Sequence, residues 1–324
     1  MRCLVTGAAG FIGSQLAERL VADGHAVVGV DAFTDYYPAS LKEANLERLR
    51  GRAGFTLVRG NLLDLDLAGL LEGIEVVFHL AAQAGVRASW GRAFGLYTGW
   101  NVLATQRLLE ATRDRAGLRR FVYASSSAVY GRSELPMREQ SPTRPLSPYG
   151  VSKLAAEHLC GLYATAYGVP TVSLRYFTVF GPRQRPDMAF HRFIRLLRAG
   201  RPIPVFGDGR QTRDFTFVAD VVDATCRAGA AALPDVAPGE VLNVAGGVRI
   251  ELRDAIQELE RLTGQTAQLA TGAAPPGEMP HTYADTSRAA ALLGWRPKTP
   301  LVDGLAEEIA WVAAAEARGV LGDG

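Results

Sequence analysis

The sequence predicts an α/β fold: a doubly wound parallel sheet with a smaller C-terminal lobe. Three observations carry this. Short β-rich runs alternate with helical patterns through the first half of the chain. Several of those runs, such as Val76-Val77-Phe78, are apolar at nearly every position, as strands buried on both faces must be. A glycine-rich turn, Gly7-Ala8-Ala9-Gly10-Phe11-Ile12-Gly13, joins the first strand directly to the first helix.

Taken in order, strands are expected over Arg2 to Thr6, Ala26 to Asp31, Phe55 to Val58, Glu75 to Leu80, Arg120 to Ser125 and Thr171 to Arg175, with helices between most of them. The first helix carries Ile12, Leu16 and Leu20 on one face. Ser147-Pro148 is an N-cap residue followed by proline at the first helical position, so a helix should start there and run through Leu154 and Leu159. Beyond about residue 175 the chain breaks into pieces punctuated by glycine and proline, before a strand-like Val241 to Ala245. Arg192, Arg195 and Arg198 beside Phe193, Ile194, Leu196 and Leu197 read as an amphipathic helix with a solvated basic face. Thr271 to Gly277 reads as an Ala/Gly/Pro loop. The organisation expected is a dinucleotide-binding domain over 1–175 plus about 212–246, a second lobe over about 176–211 and 247–316, and a tail over 317–324.

Composition narrows the partners. The 324 residues are 48% hydrophobic and 21% charged, which describes a globular chain and excludes disorder. Thirty-five basic against 33 acidic residues leave a net charge of +2, too small a field for a nucleic-acid protein, so small ligands are the default partners. Cys3, Cys160 and Cys226 are scattered, fitting neither a disulfide framework nor a thiolate metal site, and a reducing cytoplasm suits them. His25, His79, His158, His191 and His281 show no metal-ligand spacing, and no metal is expected. No window reaches the roughly 20 uncharged apolar residues of a membrane span.

The chemistry begins at the glycine turn. Gly7, Gly10 and Gly13 permit a tight turn and bring backbone N–H groups close to a pyrophosphate at the positive end of the helix, with Phe11 and Ile12 in that first turn. Asp31 ends the second strand, where a carboxylate accepts from ribose hydroxyls and repels a 2′-phosphate; this argues for NAD over NADP. The alternative is that Asp31 caps the turn after it. Tyr149 and Lys153, at i and i+4, share one face of the helix that opens at Pro148. A phenol becomes a usable base when an ammonium and a cationic nicotinamide favour its phenolate. Ser125, Ser126 and Ser127 leave a strand at its C-terminal edge, where open α/β sheets bind ligands, or else they satisfy the last carbonyls of the strand.

Five motifs together resemble the extended short-chain dehydrogenase/reductase family, and within it the nucleotide-sugar 4-epimerases: Thr6-Gly7-Ala8-Ala9-Gly10-Phe11-Ile12-Gly13, Phe78-His79-Leu80-Ala81-Ala82-Gln83, Ser125-Ser126-Ser127-Ala128-Val129-Tyr130-Gly131, Tyr149-Gly150-Val151-Ser152-Lys153 and Arg213-Asp214-Phe215. The resemblance covers nearly the whole chain and implies a Rossmann domain with NAD. It implies that Tyr149 is the base, that Lys153 also binds the nicotinamide ribose, and that Ser126 hydrogen-bonds the reacting hydroxyl. It places Asp31, Asn61, Leu62, Leu80, Ala81, Ala82 and Gln83 on the cofactor; Asn61 stands where relatives usually carry aspartate. Asp31-Ala32-Phe33-Thr34-Asp35-Tyr36-Tyr37, Gln83-Ala84-Gly85-Val86-Arg87 and Arg185-Pro186-Asp187-Met188-Ala189 look most like UDP-glucuronate 4-epimerases. The substrate-binding set implied is Arg87, Ser126, Ser127, Tyr149, Thr178, Arg185, Arg213 and Glu278. Ser127 and Thr178 are neutral candidates for the C6 carboxylate, Arg87 and Arg185 charged ones, although Arg185 could instead pair with Asp187. Ala128 and Ser127 stand where dehydratases and decarboxylases of the family carry acids, which leaves epimerisation. UDP-glucose epimerisation, UDP-glucuronate decarboxylation and a non-catalytic NAD-binding regulator stay open as alternatives. The stretches Val102 to Arg115 and Tyr149 to Tyr163 resemble the helix pair through which family members form homodimers.

Overall fold

A computed structural model describes residues 1–230, 237–273 and 275–321. Six strands, β1 (Arg2–Thr6), β2 (Ala26–Asp31), β3 (Phe55–Arg59), β4 (Val76–His79), β5 (Arg120–Ser126) and β6 (Thr171–Tyr176), lie in the order β3-β2-β1-β4-β5-β6. The strand Glu240–Val244 adds to β6 as a seventh, and every pairing in the sheet is parallel. The order reverses between β1 and β4, opening a crevice beyond the carboxyl ends of those strands. Strand positions match expectation to within a residue at each end.

Alternation of side chains explains why the strands are apolar throughout. Cys3 and Val5 of β1, Val76 and Phe78 of β4, and Val122 and Ala124 of β5 enter one core, with Leu16 and Leu20 of the helix Phe11–Ala22 and Val221 of the helix Val218–Gly229. Leu4, Val77, Phe121 and Tyr123 enter the opposite core, against Leu108 and Leu109 of the helix Ala104–Thr112 and Ala156 and Cys160 of the helix Pro148–Tyr167. A strand buried on both faces has no polar side to present. Ile12, expected on one helical face with Leu16 and Leu20, is half-buried: it packs against this core and also lines the crevice.

Ser147 caps the helix Pro148–Tyr167 as the sequence indicates: its hydroxyl accepts from Gly150 N at 3.1 Å. In the second half, Ile203–Phe206 pairs in parallel with Leu269–Gly272, and Thr212–Asp214 pairs antiparallel with Arg249–Glu251. Part of the expected loop at Thr271 is therefore strand, because the pleat of Ile203–Phe206 supplies it with partners. The helix Ala189–Arg198 buries Phe190, Phe193, Ile194 and Leu197, but its basic face is not simply solvated. Arg192 and Arg195 are half-buried, and Arg195 and Arg198 reach Glu316 of the helix Leu301–Ala317 at 3.7 and 2.8 Å. Of the tail expected over 317–324, residues 322–324 lie outside the described residues.

Candidate active site

One cleft, about 1240 Å³ including its mouth open to solvent, runs along the carboxyl ends of the strands. Gly7, Gly10, Phe11, Ile12, Gly13, Asp31, Asn61, Leu62, Leu80, Ala81, Ala82, Gln83, Tyr149 and Lys153 all line it. The glycines are there for space. Gly7 has φ +73°, and a Cβ on Gly13 would lie 2.1 Å from Gly7 O. The helix Phe11–Ala22 begins behind Gly10, which adds no side-chain cap, so the floor of the cleft is backbone at a positive helix end. Asp31 binds this turn from behind, accepting Ala9 N at 3.1 Å with one oxygen and Phe33 N at 2.8 Å with the other. It thus caps the following turn and lines the cleft at once. Asn61 Oδ1 likewise accepts Leu63 N at 3.0 Å, which uses one of its lone pairs locally. These residues fit a dinucleotide: a side-chain-free cradle for phosphates and a carboxylate at the end of β2 for ribose hydroxyls.

At the other end, Lys153 is buried, its Nζ 4.6 Å from the centre of the Tyr123 ring. Burial pushes its pKa down to about 8, opposed by Cys160 and by the Glu157 carboxylate one turn further on. The Tyr149 phenol is raised above its ordinary value, because burial outweighs the Ser126 hydroxyl and Arg185, which pull it down. Among the protein's own groups burial is the largest influence on the phenol, and it is this that an ammonium and a cationic nicotinamide together have to offset. The Tyr97 ring meets Tyr149 edge-on at 6.2 Å. Ser125 also lines the cleft, but its hydroxyl donates to Glu157 Oε2 at 2.6 Å, and Glu157 is held by Arg175 in a buried ion pair. Ser126 Oγ accepts Ala128 N at 3.2 Å and so caps the turn Ser127–Val129, a local role different from satisfying the last carbonyls of the strand.

Among the expected substrate residues, Arg185 lines the cleft with Tyr149, while Ser126, Ser127 and Thr178 are not part of that lining. Arg185 pairs with Asp187 through two contacts of 2.9 and 3.0 Å, and Tyr36 donates to the same carboxylate at 3.1 Å. Arg87, Arg213 and Glu278 form a separate cluster: Glu278 accepts from Arg87 Nε at 2.9 Å and from Arg213 Nη2 at 3.3 Å. Arg87 also lies 4.3 Å from the centre of the Phe206 ring.

Sequence reasoning missed Lys42, Trp100 and Tyr176 and gave Tyr36 and Tyr37 no role beyond their motif; all five line the cleft. Lys42 Nζ stands 3.6 Å from Asp31 Oδ1 and 5.0 Å from the centre of the Tyr37 ring. A signal was present in the composition: only Lys42, Lys153 and Lys298 among the 35 basic residues are lysines, and two of those three line this cleft. Among the described residues no group of three or more His, Cys, Asp or Glu side chains is placed to hold a metal ion.

The fold and the cleft define an NAD-dependent enzyme class, and the comparison agrees: the chain belongs to the NAD dependent epimerase/dehydratase family, whose model matches residues 3–245. More particularly, it is 47% identical over 97% of its length, and 98% of the relative's, to an uncharacterized UDP-glucose epimerase, YtcB, of Bacillus subtilis. It is 38% identical to the UDP-glucuronate 4-epimerase of Thermodesulfobacterium geofontis, covering 95% of each chain. A crystal structure of UDP-glucuronic acid 4-epimerase from Bacillus cereus with UDP-glucuronic acid and NAD superposes with a TM-score of 0.94 at 44% identity, over 97% of this chain and 99% of that one.

Proposed function

We propose that the protein is an NAD-dependent 4-epimerase of a UDP-sugar, interconverting UDP-glucuronate and UDP-galacturonate. The observation that carries this reading is the cleft itself. Tyr149 and Lys153 border the same space as the glycine turn, and buried Ser127 and Ala128, which follow Ser126, bring no acid for eliminating water or assisting decarboxylation. In this reading the Gly7–Gly13 turn holds the pyrophosphate, Asp31 with Lys42 the adenosine ribose, and Asn61, Leu62 and 80–83 the flanks of the dinucleotide. Bound there, NAD supplies a reversible hydride acceptor at the sugar's C4.

Tyr149 takes the C4 hydroxyl proton and later returns it, while Ser126 hydrogen-bonds the same oxygen. Lys153 keeps a positive charge one helical turn from the phenol and holds the nicotinamide ribose. Arg87 and Arg213 bind the diphosphate, with Glu278 setting their orientation. Oxidised at C4, glucuronate is a β-keto acid that loses CO₂ when its carboxylate bond aligns with the carbonyl π system. Ser127 and Thr178, with Arg185, hold that carboxylate out of alignment.

A second reading, UDP-glucose 4-epimerisation, is favoured by the likeness to YtcB and by Asp187, which neutralises the Arg185 guanidinium that a C6 carboxylate would meet. The test is to incubate the holoenzyme separately with UDP-glucuronate and UDP-glucose and identify the products by NMR. UDP-galacturonate is expected. UDP-galactose alone transfers the assignment to the second reading, and a UDP-pentose with CO₂, or no turnover of either sugar, overturns the epimerase.

The protein works as a homodimer in a reducing cytoplasm in this reading. Leu96, Leu103, Val151 and Leu162, each 46% exposed or more, lie on the two helical stretches Phe94–Thr112 and Pro148–Tyr167, an apolar surface of the kind a partner subunit covers. Cys3, Cys160 and Cys226 are free thiols. No helix among the described residues is long and apolar enough to cross a membrane.

A further inference from the structure

Between the glycine turn and the helix bearing Tyr149, a line of polar side chains crosses the interior. Thr6, His79, Asn101, Thr105 and Ser152 are each at most 1% exposed. Apolar packing would fill such a layer more cheaply, and His79 indeed packs near Phe121 and Tyr123, with ring centres 6.0 and 5.9 Å away. What distinguishes the line is that its hydrogen bonds run in one consistent direction.

Thr105 Oγ1 donates to the Asn101 carbonyl at 2.6 Å, a group that can only accept. Its oxygen therefore meets His79 Nε2, 2.9 Å away, as an acceptor, and Nε2 must carry the hydrogen. At the other end Thr6 Oγ1 accepts Ala81 N at 3.1 Å and Leu80 N at 3.2 Å, so its own proton goes to His79 Nδ1 at 2.8 Å. Burial, with Lys153 adding to it, pushes the imidazole down to about 3, so the ring is neutral and holds a single proton. Asn101 carries the line onward. Its Oδ1 accepts Gln83 N at 2.7 Å, and its Nδ2 donates to Gln83 O at 3.0 Å and to Ser152 Oγ at 2.9 Å. Ser152 Oγ in turn donates to Tyr149 O at 2.8 Å. Asn101 lies inside a π-helical turn, Thr98–Leu103, a local widening that often marks functional segments.

We propose that Thr6, His79, Thr105, Asn101 and Ser152 form a positioning network that fixes the glycine turn and residues 80–83 against Tyr149, with His79 locked as the Nε2–H tautomer at its joint. The role rests on Tyr149 being the proton acceptor. Cofactor floor and base come from different elements, β1 and β4 on one side and the two helical stretches on the other, and a misplacement of about 1 Å between reacting groups costs on the order of 100-fold in rate.

The first measurement needs no variant: long-range ¹H–¹⁵N spectra of holoenzyme labelled at histidine. A single neutral ring protonated at Nε2 and silent to titration between about pH 5 and pH 9 is expected for His79, whose ordinary value lies near 6.5. An Nδ1–H form, averaged tautomers or a titrating ring overturns the network. The second compares Thr105→Val with Thr105→Ser. Valine keeps the shape and breaks the line; serine restores it. Expected is a roughly tenfold lower kcat for Thr105→Val with the KM for UDP-sugar and the bound NAD unchanged, and recovery to within about twofold in Thr105→Ser. Wild-type kcat in Thr105→Val, or no recovery in Thr105→Ser, refutes the positioning role. A Thr105→Val chain that does not fold leaves the decision with the tautomer of the unaltered protein. Should the wild type turn over no UDP-sugar, the functional reading fails while the tautomer measurement still decides the network.

Discussion

Tyr149 and Lys153 pose the sharpest question at the scale of single residues, because burial works against both of the charges the chemistry uses. It raises the phenol and lowers the ammonium. A phenolate and an ammonium one helical turn apart favour each other's charged form, which offsets part of the cost of burial. Replacing Tyr149 with Phe should therefore cut kcat by about 10³-fold or more while leaving bound NAD in place, since the ring's edge contact with Tyr97 survives. Full activity in that variant would take the base role from Tyr149. In the wild type, kcat should rise with pH along the acid limb as the pair gives up its first proton. Lys153→Met removes the ammonium one helical turn away and leaves burial opposed by the Ser126 hydroxyl and Arg185, so the limb should move to higher pH. A pH–rate profile with an unmoved limb would show that the ammonium does not tune the phenol.

The elements explain why those residues meet. The glycine turn depends on a contact that no side chain tolerates: a Cβ at position 13 would fall 2.1 Å from Gly7 O, so Gly13→Ala must pull the helix Phe11–Ala22 away from β1. The expected result is NAD affinity weaker by roughly 10- to 100-fold, from about 1–3 kcal/mol of overpacking, with the melting temperature of the protein lowered less in the absence of added NAD than in its presence. Calorimetric titration with NAD checks this, and native affinity would mean that the turn has slack. At the facing element, the Ser147 cap and Pro148 start the helix at one residue, and that registration puts Tyr149 in its first turn and Lys153 in its second.

Across the whole molecule, the C-terminal helix Leu301–Ala317 reaches back to the loop that carries Arg185. Glu308, fully buried on that helix, accepts Gly181 N at 2.7 Å, while its second oxygen has no partner. Burial raises its carboxyl well above the ordinary range, only partly opposed by the Gly181 N–H. A carboxyl whose folded pKa exceeds its unfolded one binds the extra proton in the folded state. Stability is then lost as pH rises from the unfolded value towards the folded one. Glu308→Gln keeps an acceptor for Gly181 and removes the ionisation. Its melting temperature should exceed that of the wild type at about pH 8, with a smaller gap at about pH 5, near the unfolded value. A variant less stable than wild type at both pH values would mean that Glu308 is held ionised.

By itself the sequence determined the strands, the glycine turn, the capped helix start and the Tyr149–Lys153 spacing, since local rules of period, turn and cap fix these within a few residues of each other. All fourteen expected cofactor residues line one cleft: the glycine turn, Asp31, Asn61, Leu62 and residues 80–83 follow strand ends, which a parallel sheet gathers along one edge, and the helix Pro148–Tyr167 brings Tyr149 and Lys153 to the same edge. Only the tertiary structure decided which charges neutralise one another. Glu278 between Arg87 and Arg213, Lys42 against Asp31 and the Arg198–Glu316 pair join residues brought together by folding, in some cases more than a hundred positions apart, whereas Arg185 with Asp187 is the local pair already weighed from the sequence. Whether a side chain faces a ligand or another side chain depends on distances in space, and those distances are set by how the layers pack rather than by any neighbour along the chain.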